Sequence, residues 1–142
     1  MPAQPIPPLS VLVVDDHEDC AQSTAELLTL CGHAVRVAAC GTDALREVAA
    51  EVPDVVLLDL GLPDLDGCEL TARLRAQLDG KQPLVVAVTG HGTDGDRLRS
   101  ADAGIDLHLI KPLAPLALIA LLRWVRENLP ARRTAEPPRS GL

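Results

Sequence analysis

Apolar positions along the chain fall into two kinds of stretch, short continuous runs and longer amphipathic ones. Val11–Val14, Asp54–Leu58 and Leu84–Val88 are compact runs rich in β-branched residues, each followed by polar or glycine-rich sequence. Continuous runs of that length suit strands buried on both faces of a parallel sheet. Ala34–Ala38 and Ile105–Ile110 alternate instead, with Val35 and Val37 around Arg36, and Ile105, Leu107 and Leu109 around Asp106 and His108. Alternation predicts edge strands with one wetter face.

Helical periodicity fills the gaps. The first helical segment is expected over about Asp19–Cys31 and stops at Gly32, a favourable C-terminal glycine. The second is expected over Thr42–Glu51, ended by Pro53. The third begins at Asp66, which has capping-box spacing to Glu69, and runs to about Leu78. A fourth is expected over Asp94–Ala103. The fifth starts near Pro115, a good first-turn residue, and runs to about Asn128. Residues 1–9, with four prolines, are expected to be a disordered lead-in, and residues 130–142, rich in Pro and Arg, a disordered tail.

One domain over residues 10–129 follows, built from five strand–helix repeats. That order implies an α/β fold, a doubly wound parallel sheet with right-handed crossovers. Two edge-like strands, the second and the fifth, select the flavodoxin-like order 2-1-3-4-5, with helices on both faces. Ligands of such sheets bind beyond the C-terminal strand ends, where strands one and three diverge.

Polar groups collect at those ends. Asp15 and Asp16 follow the first apolar run, Asp59 the third, Thr89 the fourth, and Lys111 ends the fifth. Carboxylates so crowded repel: two unit charges ~4 Å apart cost about 4 kcal/mol at an effective dielectric near 20. A hard divalent cation relieves this, and an all-oxygen ligand set suits Mg²⁺, with Mn²⁺ also possible. A metal, a carboxylate nucleophile, a hydroxyl donor and an ammonium are the parts needed to move a phosphoryl group onto a carboxylate. Asp59 is the expected acceptor, with Thr89 and Lys111 neutralising charge on the phosphoryl oxygens.

Composition narrows the setting. A net charge of -7 argues against direct nucleic-acid binding, which wants a basic patch. No apolar run approaches the ~20 residues of a membrane span. No secretory leader opens the chain. The four cysteines form no C-x-x-C pair and read as buried, reduced thiols, so a cytoplasmic location is expected. Lys81 and Lys111 are the only lysines in an arginine-rich chain, as expected where a compact point charge is needed.

The patterns V-L-V-V-D-D (Val11–Asp16), L-L-D-L-G-L-P-D-L-D-G (Leu57–Gly67), V-T-G (Val88–Gly90) and L-I-K-P (Leu109–Pro112) resemble the receiver domain of bacterial response regulators. The resemblance covers about Ser10–Leu129. It implies that a histidine kinase or histidine phosphotransfer protein donates phosphate to Asp59. It also implies that Asp16 and Asp59 bind Mg²⁺ by side chain, Gly61 by its backbone carbonyl, and Asp15 through a metal-bound water. Such a domain is a phosphoacceptor that assists its own phosphorylation and dephosphorylation rather than an enzyme. Thr89 is expected to move toward the phosphate on activation.

Two positions depart from the family pattern. His108 stands where an aromatic rotameric switch, Tyr or Phe, is usual, so a pH-sensitive coupling to the output face is expected. The glycine-rich stretch Thr89–Gly95 suits a segment that reorders around phosphate. His17, beside the acidic pair, could affect donor access. The fifth helical segment is apolar on more than one face, so the surface of the fourth helix, fifth strand and fifth helix is expected to form a homodimer or partner contact, with Trp124 as anchor. The rival reading is an unphosphorylated pseudo-receiver that acts as a docking module.

Overall fold

The computed structural model describes residues 8–59, 62, 64–89, 104–110 and 114–134, with side chains to residue 128. Five strands, β1 (Ser10–Val14), β2 (Ala34–Ala38), β3 (Val55–Asp59), β4 (Leu84–Thr89) and β5 (Leu107–Ile110), form one parallel sheet in the order β2-β1-β3-β4-β5. The described helices are α1 (Glu18–Leu30), α2 (Gly41–Ala50), α3 (Gly67–Gln77) and α4 (Pro115–Thr134). The helix expected over 94–103 lies outside the described residues.

The sheet order follows from which strands can tolerate water. β3 is buried at every position and β1 at four of five, while β2 and β5 are partly exposed along most of their length. Alternate side chains feed two separate layers. Leu12, Val14, Val56, Leu58, Val85 and Ala87 pack with Ala44 and Val48 of α2 and Leu70 and Leu74 of α3. Val11, Val13, Val55, Leu57 and Val86 pack with Ala21 and Leu28 of α1 and Leu118, Leu122 and Val125 of α4. Both layers are aliphatic; the chain's single aromatic, Trp124, is 52% exposed.

Element ends obey local chemistry. Gly32 adopts φ 96°, the left-handed conformation that ends α1. Asp66 caps α3, its carboxylate accepting from the Cys68 amide at 2.9 Å, while Glu69 pairs with Arg73 one turn on. On α4, Leu118, Leu122 and Val125 form the buried stripe, and Leu116 and Trp124 face outward.

Three expectations need correction. Leu9, assigned to the disordered lead-in, is 2% exposed, and its carbonyl accepts the Ala34 amide at 2.9 Å, so the ordered core begins before Ser10. The terminal helix does not stop at Asn128 but reaches Thr134, with Pro130 inside it. A proline there removes one backbone donor near the helix end, where few turns remain to be disrupted. Of the four free cysteines, Cys68 alone is buried and Cys20 is exposed, because Cys20 lies on a face of α1 that borders a cleft rather than the core.

Lys81 also finds its role here. It pairs with Asp54 at 2.8 Å, and Asp54, itself 8% exposed, accepts the Ser10 amide at 2.9 Å. This compact charge ties the N-terminal ends of β1 and β3, opposite the site.

Candidate functional site

The register fixes what meets at the C-terminal rim. Val14 lies beside Leu58, Asp59 beside Val88, and Thr89 beside Ile110. β1 ends at Val14, so Asp15 and Asp16 leave the sheet next to the last residue of β3, which is Asp59. The side chains of Asp15, Asp16, His17 and Asp59 present donor atoms that all lie within 4.8 Å of one another. Asp59 is the most enclosed of them, at 8% exposure.

The turn between β1 and α1 is built to hold this cluster. The Asp15 amide donates to Ala38 of β2 at 3.1 Å, extending the ladder one residue beyond the strand. The Asp15 carboxylate then accepts the His17 amide at 2.9 Å, a local side chain-to-backbone turn. His17 is the residue before the first turn of α1, and its carbonyl accepts the Ala21 amide at 2.9 Å. Glu18 and Asp19 in that first turn favour the positive helix end.

Beside the cluster runs a cleft of about 580 Å³, floored by Val13, Leu57 and Val88 and walled by Asp19, Cys20, Ser23 and Thr24 of α1. Asp59 and Asp15 stand at its edge. Leu57 and Asp59 share one face of β3, so the same alternation that buries Leu57 turns Asp59 toward this opening. The small polar groups of α1 were not foreseen from the sequence. Their signal is the spacing 19, 20, 23, 24, one face of a helix directly after the acidic pair.

Thr89 is the last residue of β4, one strand over from Asp59 and in register with the residue before Lys111. His108 is partly buried on β5, paired with Ala87. Lys111, Pro112, Gly61 and the segment 90–103, including His91, lie outside the described residues. The loop that follows Asp59 is tied down at Asp64, whose carboxylate accepts the Gly41 and Thr42 amides and the Thr42 hydroxyl at the start of α2.

Residues 11–123 match the response regulator receiver domain family. The chain belongs to that family. The receiver domain is 36% identical over 128 residues to the transcriptional regulatory protein KdpE of Mycobacterium tuberculosis, covering 89% of this chain and 55% of that protein. It is 37% identical over 116 residues to the response regulator MprA of Mycolicibacterium vanbaalenii, covering 82% and 49%. It thus spans about half the length of these relatives. Among solved structures, a CheY-like receiver domain protein of Methanospirillum hungatei superposes with a TM-score of 0.81 at 26% identity, covering 88% of this chain and 98% of that one. Vibrio cholerae CheY4 superposes at 0.78 with 27% identity, covering 83% and 98%.

Receiver domains of two-component response regulators bind Mg²⁺ at an acidic pocket. The donor set here fits that ion: three carboxylates converge at the sheet rim, and oxygen ligands are what Mg²⁺ prefers.

Proposed function

We propose that Asp59 is the phosphoacceptor, and that a phosphohistidine on a histidine kinase or phosphotransfer protein is the donor. The observation that carries this reading is the convergence of Asp15, Asp16 and Asp59 at the end of β3, with Asp59 the enclosed member at the edge of an open cleft. A carboxylate oxygen of Asp59 attacks phosphorus, the P–N bond to the donor imidazole breaks as the O–P bond forms, and the imidazole leaves as the neutral base after taking a proton. A bound Mg²⁺ supplies charge neutralisation for the transferring group. Asp15, Asp16 and Asp59, with the Gly61 carbonyl, are the residues we assign to hold it. Thr89 hydrogen-bonds a phosphoryl oxygen and Lys111 pairs with another, so these two sense the new charge as well as stabilise it. The same groups, with a water as nucleophile, serve the loss of the phosphate, so the domain assists both directions of its own modification.

Readout is assigned to Thr89 and His108, on adjacent strands, and to the surface beyond them. Leu107, Ile110, Leu116 and Trp124 are exposed large apolar side chains on β5 and α4. We assign this surface to a second copy or a downstream protein. Among the described residues no helix is long and apolar enough to cross a membrane. With the free thiols and the acidic charge, this supports a cytoplasmic setting in which nucleic acid is not a direct partner.

The test is incubation with Mg²⁺ and a small acyl phosphate, followed by intact mass. One hydroxylamine-labile phosphoryl group is expected, absent in Asp59→Asn and absent when the metal is chelated. No transfer from any donor, with Mg²⁺ binding intact, would establish a docking module instead.

A further inference from the structure

The acidic cluster contains a group that an all-oxygen Mg²⁺ site does not use. His17 Nδ1 lies 3.4 Å from Asp15 Oδ1 and 3.3 Å from Asp16 Oδ1. Charge-assisted hydrogen bonds run at about 2.7–2.9 Å, so neither contact has the length of a good ion pair. The spacing also fits a shared ligand sphere. Ligands about 2.1 Å from one octahedral ion stand about 3.0 Å apart when adjacent and about 4.2 Å when opposite. Separations of 3.3 and 3.4 Å, inside a four-residue set whose donors all lie within 4.8 Å, are close to those of ligands around a common centre.

The backbone already places the imidazole there. The His17 amide is held by the Asp15 carboxylate and the His17 carbonyl by the first turn of α1, each at 2.9 Å. The backbone that carries the ring is therefore fixed before an ion arrives. The side chain is 68% exposed, so the ring nitrogen is accessible to an ion entering from solvent. Imidazole is a poor ligand for Mg²⁺ and a good one for divalent transition ions, whose affinities rise from Mn²⁺ through Co²⁺ toward Zn²⁺ and Cu²⁺.

We propose that His17 supplies a nitrogen ligand through Nδ1 to a divalent transition ion held with Asp15, Asp16 and Asp59, so that the pocket favours such ions over Mg²⁺. The inference rests on reading the acidic cluster as the receiver's metal site. It makes His17 a metal-selecting residue, which the resemblance to other receivers does not assign.

Two measurements on the untagged chain decide it. Pulsed electron paramagnetic resonance of the Mn²⁺-loaded protein should show nitrogen modulation that changes isotopically with ¹⁵N-histidine labelling and vanishes in His17→Ala. Calorimetric titration should show Co²⁺ affinity falling about tenfold or more in His17→Ala, as loss of a ligand-sphere group does, with Mg²⁺ affinity changed less than twofold. Mn²⁺ bound without nitrogen modulation, or Co²⁺ and Mg²⁺ weakened by the same factor, overturns the role of His17 alone. If the wild-type chain binds none of these ions, or binds them as well in Asp59→Asn, the metal pocket itself fails and His17 with it.

Discussion

The carboxylate of Asp64 accepts a hydrogen bond from the amide of Gly41 at 2.8 Å, across 23 residues of sequence. The loop leaving Asp59 is therefore the N-terminal cap of α2, a helix whose own preceding residue, Cys40, makes no side-chain cap bond.

This cap is titratable. The Gly41 amide, and after it the Thr42 amide, hold the Asp64 carboxyl down at about 2 from its usual 3.8. A carboxylate depressed on folding stabilises above its unfolded value, and that stability is lost as pH falls through its folded value. In thermal denaturation, the melting-temperature gap between wild type and Asp64→Asn should be flat from pH 7 to about 5 and close between about pH 4 and 2. A gap that stays flat to pH 2 would show that the charge does not make the cap.

Gly41 is held to its identity by a neighbour. A Cβ added there would stand 2.8 Å from Leu65 Cδ1 and 2.9 Å from Leu65 Cβ. Alanine gains up to about 1 kcal/mol of helix propensity, but overpacking against an atom so near the Leu65 backbone costs about 1–3 kcal/mol. Gly41→Ala should destabilise in urea titration, and Leu65→Ala in the same chain should recover part of the loss. A neutral or stabilising Gly41→Ala would show that the loop gives way freely.

Arg75 of α3 donates to the Gly104 carbonyl at 2.7 Å, the Pro83 carbonyl at 2.7 Å and Asp106 at 2.8 Å. Asp106 in turn accepts the Val85 amide, so one planar fork gathers the entrances to β4 and β5. Arg75→Lys keeps the charge but not the fork and should cost about 1.5–3 kcal/mol, close to Arg75→Ala. If lysine restores most of the stability, charge rather than geometry is the contribution.

His108→Tyr tests the readout. The change in α4 amide protection on adding Mg²⁺ and acyl phosphate, taken relative to intrinsic exchange at each pH, should vary between pH 6 and 8 in wild type and be pH-independent in the tyrosine variant. Equal responses in both proteins across that range would remove His108 from the switch.

Sedimentation tests the outer surface. Phosphorylated wild type should sediment as a larger species than the unmodified chain, and Trp124→Ala should reduce that difference. A monomer indifferent to both changes would count against a dimer contact.

Much of the fold was legible because burial on two faces and on one face leave different apolar patterns. Val11–Val14 and Leu84–Val88 read as central strands, Ala34–Ala38 as an edge, and the sheet order follows. Asp15, Asp16 and Asp59 were legible because a parallel sheet places successive strand ends at one rim. The cap from Asp64 to Gly41 and the Arg75 fork were not, since each joins segments whose spacing carries no periodic signal. The reach of α4 past Pro130 was missed because a proline late in a helical run reads as a stop. The approach of His17 to the acids depends on the turn geometry after β1, which residue order alone does not set.

A core assembled without Phe, Tyr or Trp has an optical consequence. Loosening of the two aliphatic layers leaves the near-ultraviolet spectrum almost untouched and must be followed through backbone signals. Trp124, half in solvent on α4, is the chain's one native fluorophore. Its emission should brighten, dim or shift if a partner settles on that outer surface, and so a single native side chain can report on the proposed contact without an added label.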